Sequence, residues 1–299
     1  MERISRRFFA AASAAALALP TVGTAVAQTA RPTVTSPGGG TAPALGQGTW
    51  HLAQGRHPEA EEEQALLTGL SLGMTLIDTA ELYGGGRAER MVGRLLPERR
   101  DGVFLVSKVL PNHATPTGMR EACAASLGRL GTDHLDLYLL HWRGDVRDLH
   151  PIVATFEALR AEGRIRRWGV SNFRVSDLEA LMRVPGGTAC ATNQVRYALD
   201  DRGAERELIP WCGRHGMPIM AYSPLGSGGG LLRNVGLGRV ATRLGVSPAA
   251  VAIAWTMRDG RTISIPESGS AAHVRENAAA LSLRLSATDL AELDVAFPA

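Results

Sequence analysis

The 299-residue sequence predicts an α/β protein, a closed single-domain (β/α)8 barrel over residues 40–299. Three observations point there. Eight short apolar runs of strand length alternate with segments of helical spacing, over the roughly 250 residues that such a barrel takes. Polar residues able to do chemistry end nearly every run, and in a closed barrel those ends meet at one mouth. An open doubly wound sheet is the alternative, yet no complete G-x-G-x-x-G follows any run. Gly226-Ser227-Gly228 begins one, and Leu231 breaks it.

The segment ahead of the barrel reads as a leader. Ser5-Arg6-Arg7-Phe8-Phe9 opens an Ala/Leu-rich run that ends at Ala25-Val26-Ala27. A charged start, a weakly apolar middle and a small-x-small site make residues 1–27 a twin-arginine-type export signal. Pro20, Gly23 and the alanine content suit a membrane span poorly. We therefore expect cleavage after Ala27, no stable membrane anchor, and a periplasmic location (cytoplasmic if the signal goes unused). Residues 28–39 read as a polar leader.

From Pro43 an extended segment runs to Gly46-Gln47-Gly48-Thr49-Trp50. Residues 58–72 have helical spacing, and the run from Met74 ends at Asp78. Residues 87–96 are helical, and residues 103–106 form a strand that delivers Ser107-Lys108. Residues 117–130 place Met119, Cys123, Leu127 and Leu130 on one helix face. Residues 135–140 form a strand ending at His141. A helix over 151–162 leads to the strand 166–170, which ends at Ser171-Asn172. A helix over 176–183 precedes the strand 189–192, ending at Asn193-Gln194. Residues 203–215 read as one helix containing Pro210. The strand 218–221 delivers Tyr222-Ser223-Pro224. Helical patterns over 236–258 break at Gly245 and Pro248. The strand 262–265 ends at Pro266-Glu267-Ser268, and helices follow over 271–280 and 286–295.

Composition narrows the function. Hydrophobic content is 45% and net charge +3, with both signs interspersed. No basic stripe marks a nucleic-acid binder. Cys123, Cys190 and Cys212 match no zinc or redox spacing and read as small core residues. There is no H-E-x-x-H, and no metal site is expected. Of the 32 basic residues only Lys108 is lysine. A compact ammonium whose acidity moves readily is wanted there, where guanidinium cannot serve.

Asp78, Tyr83, Lys108 and His141 fall at three neighbouring strand ends and form the candidate catalytic set. An ammonium beside a phenol favours phenolate, and a carboxylate holds the ammonium in place. Histidine can orient a substrate oxygen by donating to it. The set suits proton delivery to a carbonyl oxygen. A metal-dependent hydrolase reading fails at the first strand, which ends in Gly48-Thr49-Trp50 rather than a His-x-His pair.

These strand ends carry a resemblance. Gly48-Thr49-Trp50, Ile77-Asp78-Thr79-Ala80 with Tyr83-Gly84, Ser107-Lys108, Asp136 through His141, Gly169-Val170-Ser171-Asn172-Phe173, Asn193-Gln194 and Tyr222-Ser223-Pro224-Leu225-Gly226 stand in the order and spacing of the aldo-keto reductases. The sequence resembles that family over about residues 40–299. The resemblance implies NADP(H) or NAD(H) extended across the mouth and reversible reduction of aldehydes or ketones. It implies Tyr83 as general acid and base, Lys108 depressing its pKa, Asp78 pairing with Lys108, and His141 aligning the carbonyl. Ser171, Asn172 and Gln194 are to bind the nicotinamide carboxamide, and Tyr222 is to stack on its ring. Ser223, Leu225 and Gly226 are to approach the pyrophosphate, with Thr49 and Trp50 beside the cofactor. Ser268, Glu276 and Asn277 are to serve the adenosine end.

Two positions depart from the family. Glu267 stands where Ile-Pro-Lys-Ser is common, and His273 where NADP-dependent members often carry arginine. A weakened preference for NADPH is expected. Trp50, Leu82 and Trp142 are expected to line an open pocket for a small carbonyl substrate, in a monomer. The competing reading is an exported module that holds nucleotide without turnover. The presence of all four chemical residues favours an enzyme.

Overall fold

A computed structural model describes residues 31–37, 39–226 and 230–299. The export signal expected over residues 1–27 lies outside them.

The first described elements are β1 (Thr33–Thr35) and β2 (Thr41–Pro43), an antiparallel hairpin. Residues 33–35 are thus part of the fold, which corrects the polar leader expected over 28–39. Val34 and Ala42 are 2% and 4% exposed and join a core cluster with Leu76, Val106, Leu137 and Ile263. One valine between two threonines was too short a pattern to read as a strand.

Eight parallel strands follow in chain order: β3 (Gly46–Gly48), β4 (Leu76–Asp78), β5 (Phe104–Val109), β6 (Leu137–Leu140), β7 (Trp168–Ser171), β8 (Asn193–Arg196), β9 (Ile219–Tyr222) and β10 (Thr262–Ile265). The last meets the first. Leu45 bridges Ser264 and Gly48 bridges Glu267, with Ser264 N–H donating to Ala44 O at 2.8 Å and Gly48 N–H to Pro266 O at 2.9 Å. A side chain at position 48 would stand 3.2 Å from Ile265 O, so glycine permits this close seam.

Two cores result from strand alternation. Leu76, Val106, Leu137, Leu139 and Ile265 fill the cluster shared with the hairpin. Their chain neighbours Ile77, Leu105, Tyr138 and Leu140 pack instead with helix residues such as Met91, Met119, Leu127 and Phe156. Those helices include α1 (Glu59–Leu72), α2 (Arg87–Leu95), α3 (Pro116–Leu130), α4 (His150–Ala161) and α5 (Val175–Met182).

The second half differs from expectation in two places. The strand expected over 189–192 lies further on, as β8, because Gly187–Ala189 turn first. Its Asn-Gln-Val-Arg sequence has no apolar run to find. The helix expected over 203–215 is the shorter α6 (Leu208–Arg214), preceded by a turn at Gly203–Glu205. Pro210 sits in the first turn of α6, where backbone N–H groups have no helical acceptor to lose. The expected break holds: α7 (Val235–Leu244) ends on left-handed Gly245, and Ser247 caps α8 (Pro248–Thr256) by accepting from Ala250 N–H. Helices α9 (Ala271–Ala278) and α10 (Ala287–Ala296) complete the chain.

Candidate active site

The carboxyl ends of the strands carry the expected residues to one place. Asp78 ends β4, Lys108 lies in β5, and His141 follows β6 directly. Tyr83 enters from a tight turn in which Gly84, Gly85 and Gly86 all have positive φ, a conformation that glycine adopts freely. Lys108 is 0% exposed. Its Nζ donates to Asp78 Oδ2 at 2.7 Å, to Tyr83 Oη at 2.9 Å and to Thr79 O at 3.0 Å. All three ammonium hydrogens are therefore used, which is the arrangement a buried charge requires.

The electrostatics add a second influence on Tyr83. Burial pushes the Tyr83 phenol up to about 12, outweighing the lowering by Lys108. Lys108 does act in the expected direction, but the phenol stays protonated. Burial works against the Lys108 charge, while Asp78 and Tyr83 more than offset it, so its pKa lies above the usual value. His141 is lowered to about 3 by burial and by Lys108, so its imidazole is neutral. Its Nδ1 is buried without a hydrogen-bond partner. That favours the tautomer with the proton on Nε2.

Neighbouring loops hold this set in place. Thr49 Oγ donates to Asp78 O at 3.0 Å, and Gln194 Nε2 donates to Asp78 Oδ1 at 2.7 Å. Gln194 thus braces Asp78, an arrangement missing from its expected role toward a carboxamide alone. Glu81, not singled out from sequence, accepts from Leu110 N–H at 2.7 Å and lies 3.0 Å from His113 Nδ1. It links the Tyr83 turn to the segment just past Lys108. No sequence motif marks it, because its partner is a backbone amide 29 positions away.

Above the set opens a cavity of about 670 Å³. Tyr83, His141, Trp50, Leu82 and Trp142 line it, as do Thr49, Ser171, Asn172, Gln194, Tyr222, Ser223, Leu225, Gly226 and Glu267. One wall is a polar chain. Tyr222 Oη donates to Asn172 Oδ1 at 3.0 Å, Asn172 Nδ2 donates to His141 O at 3.1 Å, and Ser171 Oγ donates to Gln194 O at 2.8 Å. Asn172 and Ser223 have φ of 60° and 50°, a strained setting for residues other than glycine. Ser268, His273, Glu276 and Asn277 do not line the cavity; they lie beyond it, on the segment after β10 and on α9.

Glu267 is not free. Its Oε2 accepts from His51 N–H at 3.1 Å, and its Oε1 lies 2.9 Å from His51 Nδ1. The pair spans the seam where β10 meets β3. His51 and Arg56, which also lines the cavity, were both overlooked in the sequence.

These residues fit a nicotinamide dinucleotide. A buried proton donor lies at the cavity floor, amide and hydroxyl groups cluster on one wall, and the phenol of Tyr222 stands at the lip. The aldo/keto reductase family model matches residues 44–296. The chain belongs to the aldo/keto reductase family. It is an NAD(P)-dependent oxidoreductase that reduces aldehydes or ketones to alcohols. Methylglyoxal reductase YeaE of Escherichia coli K12 is 48% identical over 261 residues, covering 86% of this chain and 92% of that protein. A crystal structure of an aldo/keto reductase from Klebsiella pneumoniae in complex with NADP and acetate aligns with a TM-score of 0.85 at 46% identity, covering 90% of this chain and 96% of that one. A second, in complex with NADPH, also gives 0.85, at 45% identity over 90% and 95% of the two chains.

Proposed function

We propose that this reductase acts on small dicarbonyl compounds of the methylglyoxal type, with Tyr83 as proton donor. The observation that carries the reading is the Tyr83 hydroxyl, 2.9 Å from Lys108 Nζ at the floor of a cavity that His141 also lines. The substrate class is supported by the 48% identity to a methylglyoxal reductase and by 30% identity over 252 residues to a second, DkgB of Escherichia coli O157:H7.

Bound NAD(P)H supplies a hydride to the carbonyl carbon. The chain does the rest. His141 Nε2–H donates to the carbonyl oxygen and aims it at Tyr83. As negative charge builds on that oxygen, Tyr83 Oη–H transfers its proton there. Lys108 stabilises the phenolate left behind, and solvent later returns the proton. Asp78 keeps Lys108 charged and in place. Trp50 and Trp142 offer apolar walls to a small substrate. The test is cofactor oxidation with methylglyoxal, benzaldehyde and simple ketones. Tyr83→Phe should lose at least about 10²-fold in kcat. Equal rates for wild type and Tyr83→Phe would sink the assignment.

We further propose a weakened preference for NADPH. Glu267 puts a carboxylate on the cavity wall, where it repels an added phosphate. Comparable kcat/KM for NADH and NADPH is expected, with Glu267→Lys shifting the ratio toward NADPH. A strong NADPH preference in the wild type would overturn this. Residues 1–27 are proposed to direct twin-arginine export to the periplasm, supported by Arg6-Arg7 and the Ala25-Val26-Ala27 site. Cell fractionation with amino-terminal sequencing tests it, and a cytoplasmic protein with intact Met1 would refute it.

A further inference from the structure

We infer that Arg56 is an anion-binding residue of the cavity mouth, taking a phosphate or carboxylate group of a bound ligand. The inference rests on the reductase reading above and adds a recognition element to it.

The charges on the cavity wall are unequally satisfied. Asp78 is neutralised by Lys108 at 2.7 Å, and Glu267 is held by the ring and backbone N–H of His51. Arg56 also lines the cavity as an exposed side chain, and among the described residues its guanidinium has no ion-pair or hydrogen-bond partner. Its planar fork of donors is suited to two oxygens of one anion. Among the described residues that line the cavity it is the one arginine or lysine, and it is available to an anionic ligand.

The loop that carries it is built rather than loose. Ala53, a non-glycine residue, has φ of 58° and is 5% exposed. Ala53 N–H donates to the buried Glu62 Oε2 at 2.7 Å, and Arg87 Nε donates to Ala53 O at 3.0 Å. Gln54 Nε2 donates to Trp50 O. Two contacts thus hold the left-handed Ala53, and a third ties its neighbour Gln54, shortly ahead of Gly55 and Arg56. Strain of this kind persists where surrounding structure over-determines it, and it clusters at ligand clamps. At the other end, His57 lies against Gly269. The loop therefore runs from the Tyr83 turn to the segment after β10, and Arg56 lies between the two.

Direct binding decides the matter. Quenching of tryptophan fluorescence, with Trp50 and Trp142 on the cavity wall, gives Kd for NADP+ and NAD+ in wild type, Arg56→Met and Arg56→Lys. Steady-state KM is measured in parallel for methylglyoxal and for glyoxylate, which carries a carboxylate. Arg56→Met should weaken at least one anionic ligand roughly tenfold or more. Arg56→Lys should recover part of the loss, and added salt should shrink the difference. Weakening of both dinucleotides assigns the anion to the shared pyrophosphate. Weakening of NADP+ alone assigns it to the extra phosphate, and a raised KM for glyoxylate alone assigns it to a substrate carboxylate. Unchanged Kd values with an unchanged glyoxylate KM overturn the inference and leave the reductase reading intact. A wild type that binds neither dinucleotide overturns both.

Discussion

Gln194 donates its side-chain amide to Asp78 Oδ1 at 2.7 Å, joining β8 to the end of β4 across 116 positions of sequence. With Lys108 on Oδ2, both oxygens of the buried carboxylate are satisfied. Such a group acts through its partner, so the two losses should not add. Gln194→Met is expected to lower kcat about tenfold in the wild type. In an Asp78→Asn background it should cost little more. Measuring kcat for the two single variants and the double variant checks this; fully additive losses would show that Gln194 acts independently of Asp78.

Lys108 cannot be replaced quietly. Lys108→Met takes the ammonium away from the buried Asp78 and leaves it only the Gln194 amide as a side-chain donor, and breaking a buried pair in this way costs about 3–5 kcal/mol. Urea unfolding should register that loss, alongside a kcat near the limit of detection. Lys108→Arg keeps the charge but brings a larger planar group to a point where three acceptors converge on one nitrogen. It should also be poorly active. Robust turnover by Lys108→Arg would mean that charge alone suffices.

The two directions of the reaction should differ in pH dependence. Burial raises the Tyr83 phenol to about 12, so the acid needed for reduction is present throughout the neutral range. The base needed for oxidation is the phenolate, whose fraction grows up to about tenfold per pH unit below that point. Reduction should show no alkaline loss from Tyr83 between roughly pH 6 and 9, while kcat/KM for alcohol oxidation climbs. Parallel profiles in both directions would contradict the assignment of one titrating phenol.

Glu81 stands two residues ahead of Tyr83 and bonds to the chain just past β5. It ties the Tyr83 turn to Leu110, two residues past Lys108, by a bond to the Leu110 N–H. A misplacement of about 1 Å at a reacting group can cost about 10² in rate. Glu81→Ala is expected to lower kcat by about that factor, with KM for the carbonyl nearly unchanged. Glu81→Gln keeps an oxygen able to accept from Leu110 N–H and should restore most of the rate. Equal kcat values for the alanine and glutamine variants would argue that the bond does not position the phenol.

The barrel was legible because most strand cores are apolar and their carboxyl ends abruptly polar. Asp78 and His141 are readable for the same reason, each following directly on a hydrophobic run, and Lys108 stands one residue past another. β8 was displaced because its residues are polar, and the β1–β2 hairpin was missed because one valine carries its buried side. The wall residues Ser171, Asn172 and Tyr222 occur where expected, but their mutual hydrogen bonds depend on how adjacent strands register. Gln194 lines the cavity from within β8 rather than from past a strand over 189–192, and it also braces Asp78. His51 and Glu81 act through loop contacts between residues distant in sequence, which no local pattern encodes, and Arg56 reaches the cavity from the same loop as His51. The lowering of the Tyr83 pKa by Lys108 is readable from the motif, whereas the larger opposing effect of burial is not.

The single lysine has a consequence for the chemistry of the surface. Aldehydes condense with free amines to form imines, and an enzyme that handles reactive carbonyls is exposed to that reaction. Here the only ε-amine in the chain is 0% exposed and its three hydrogens are engaged. The folded surface among the described residues offers no lysine for substrate to modify or cross-link. Amine-directed reagents meet the same barrier, so coupling to a dye or a solid support should be confined to the terminal α-amino group.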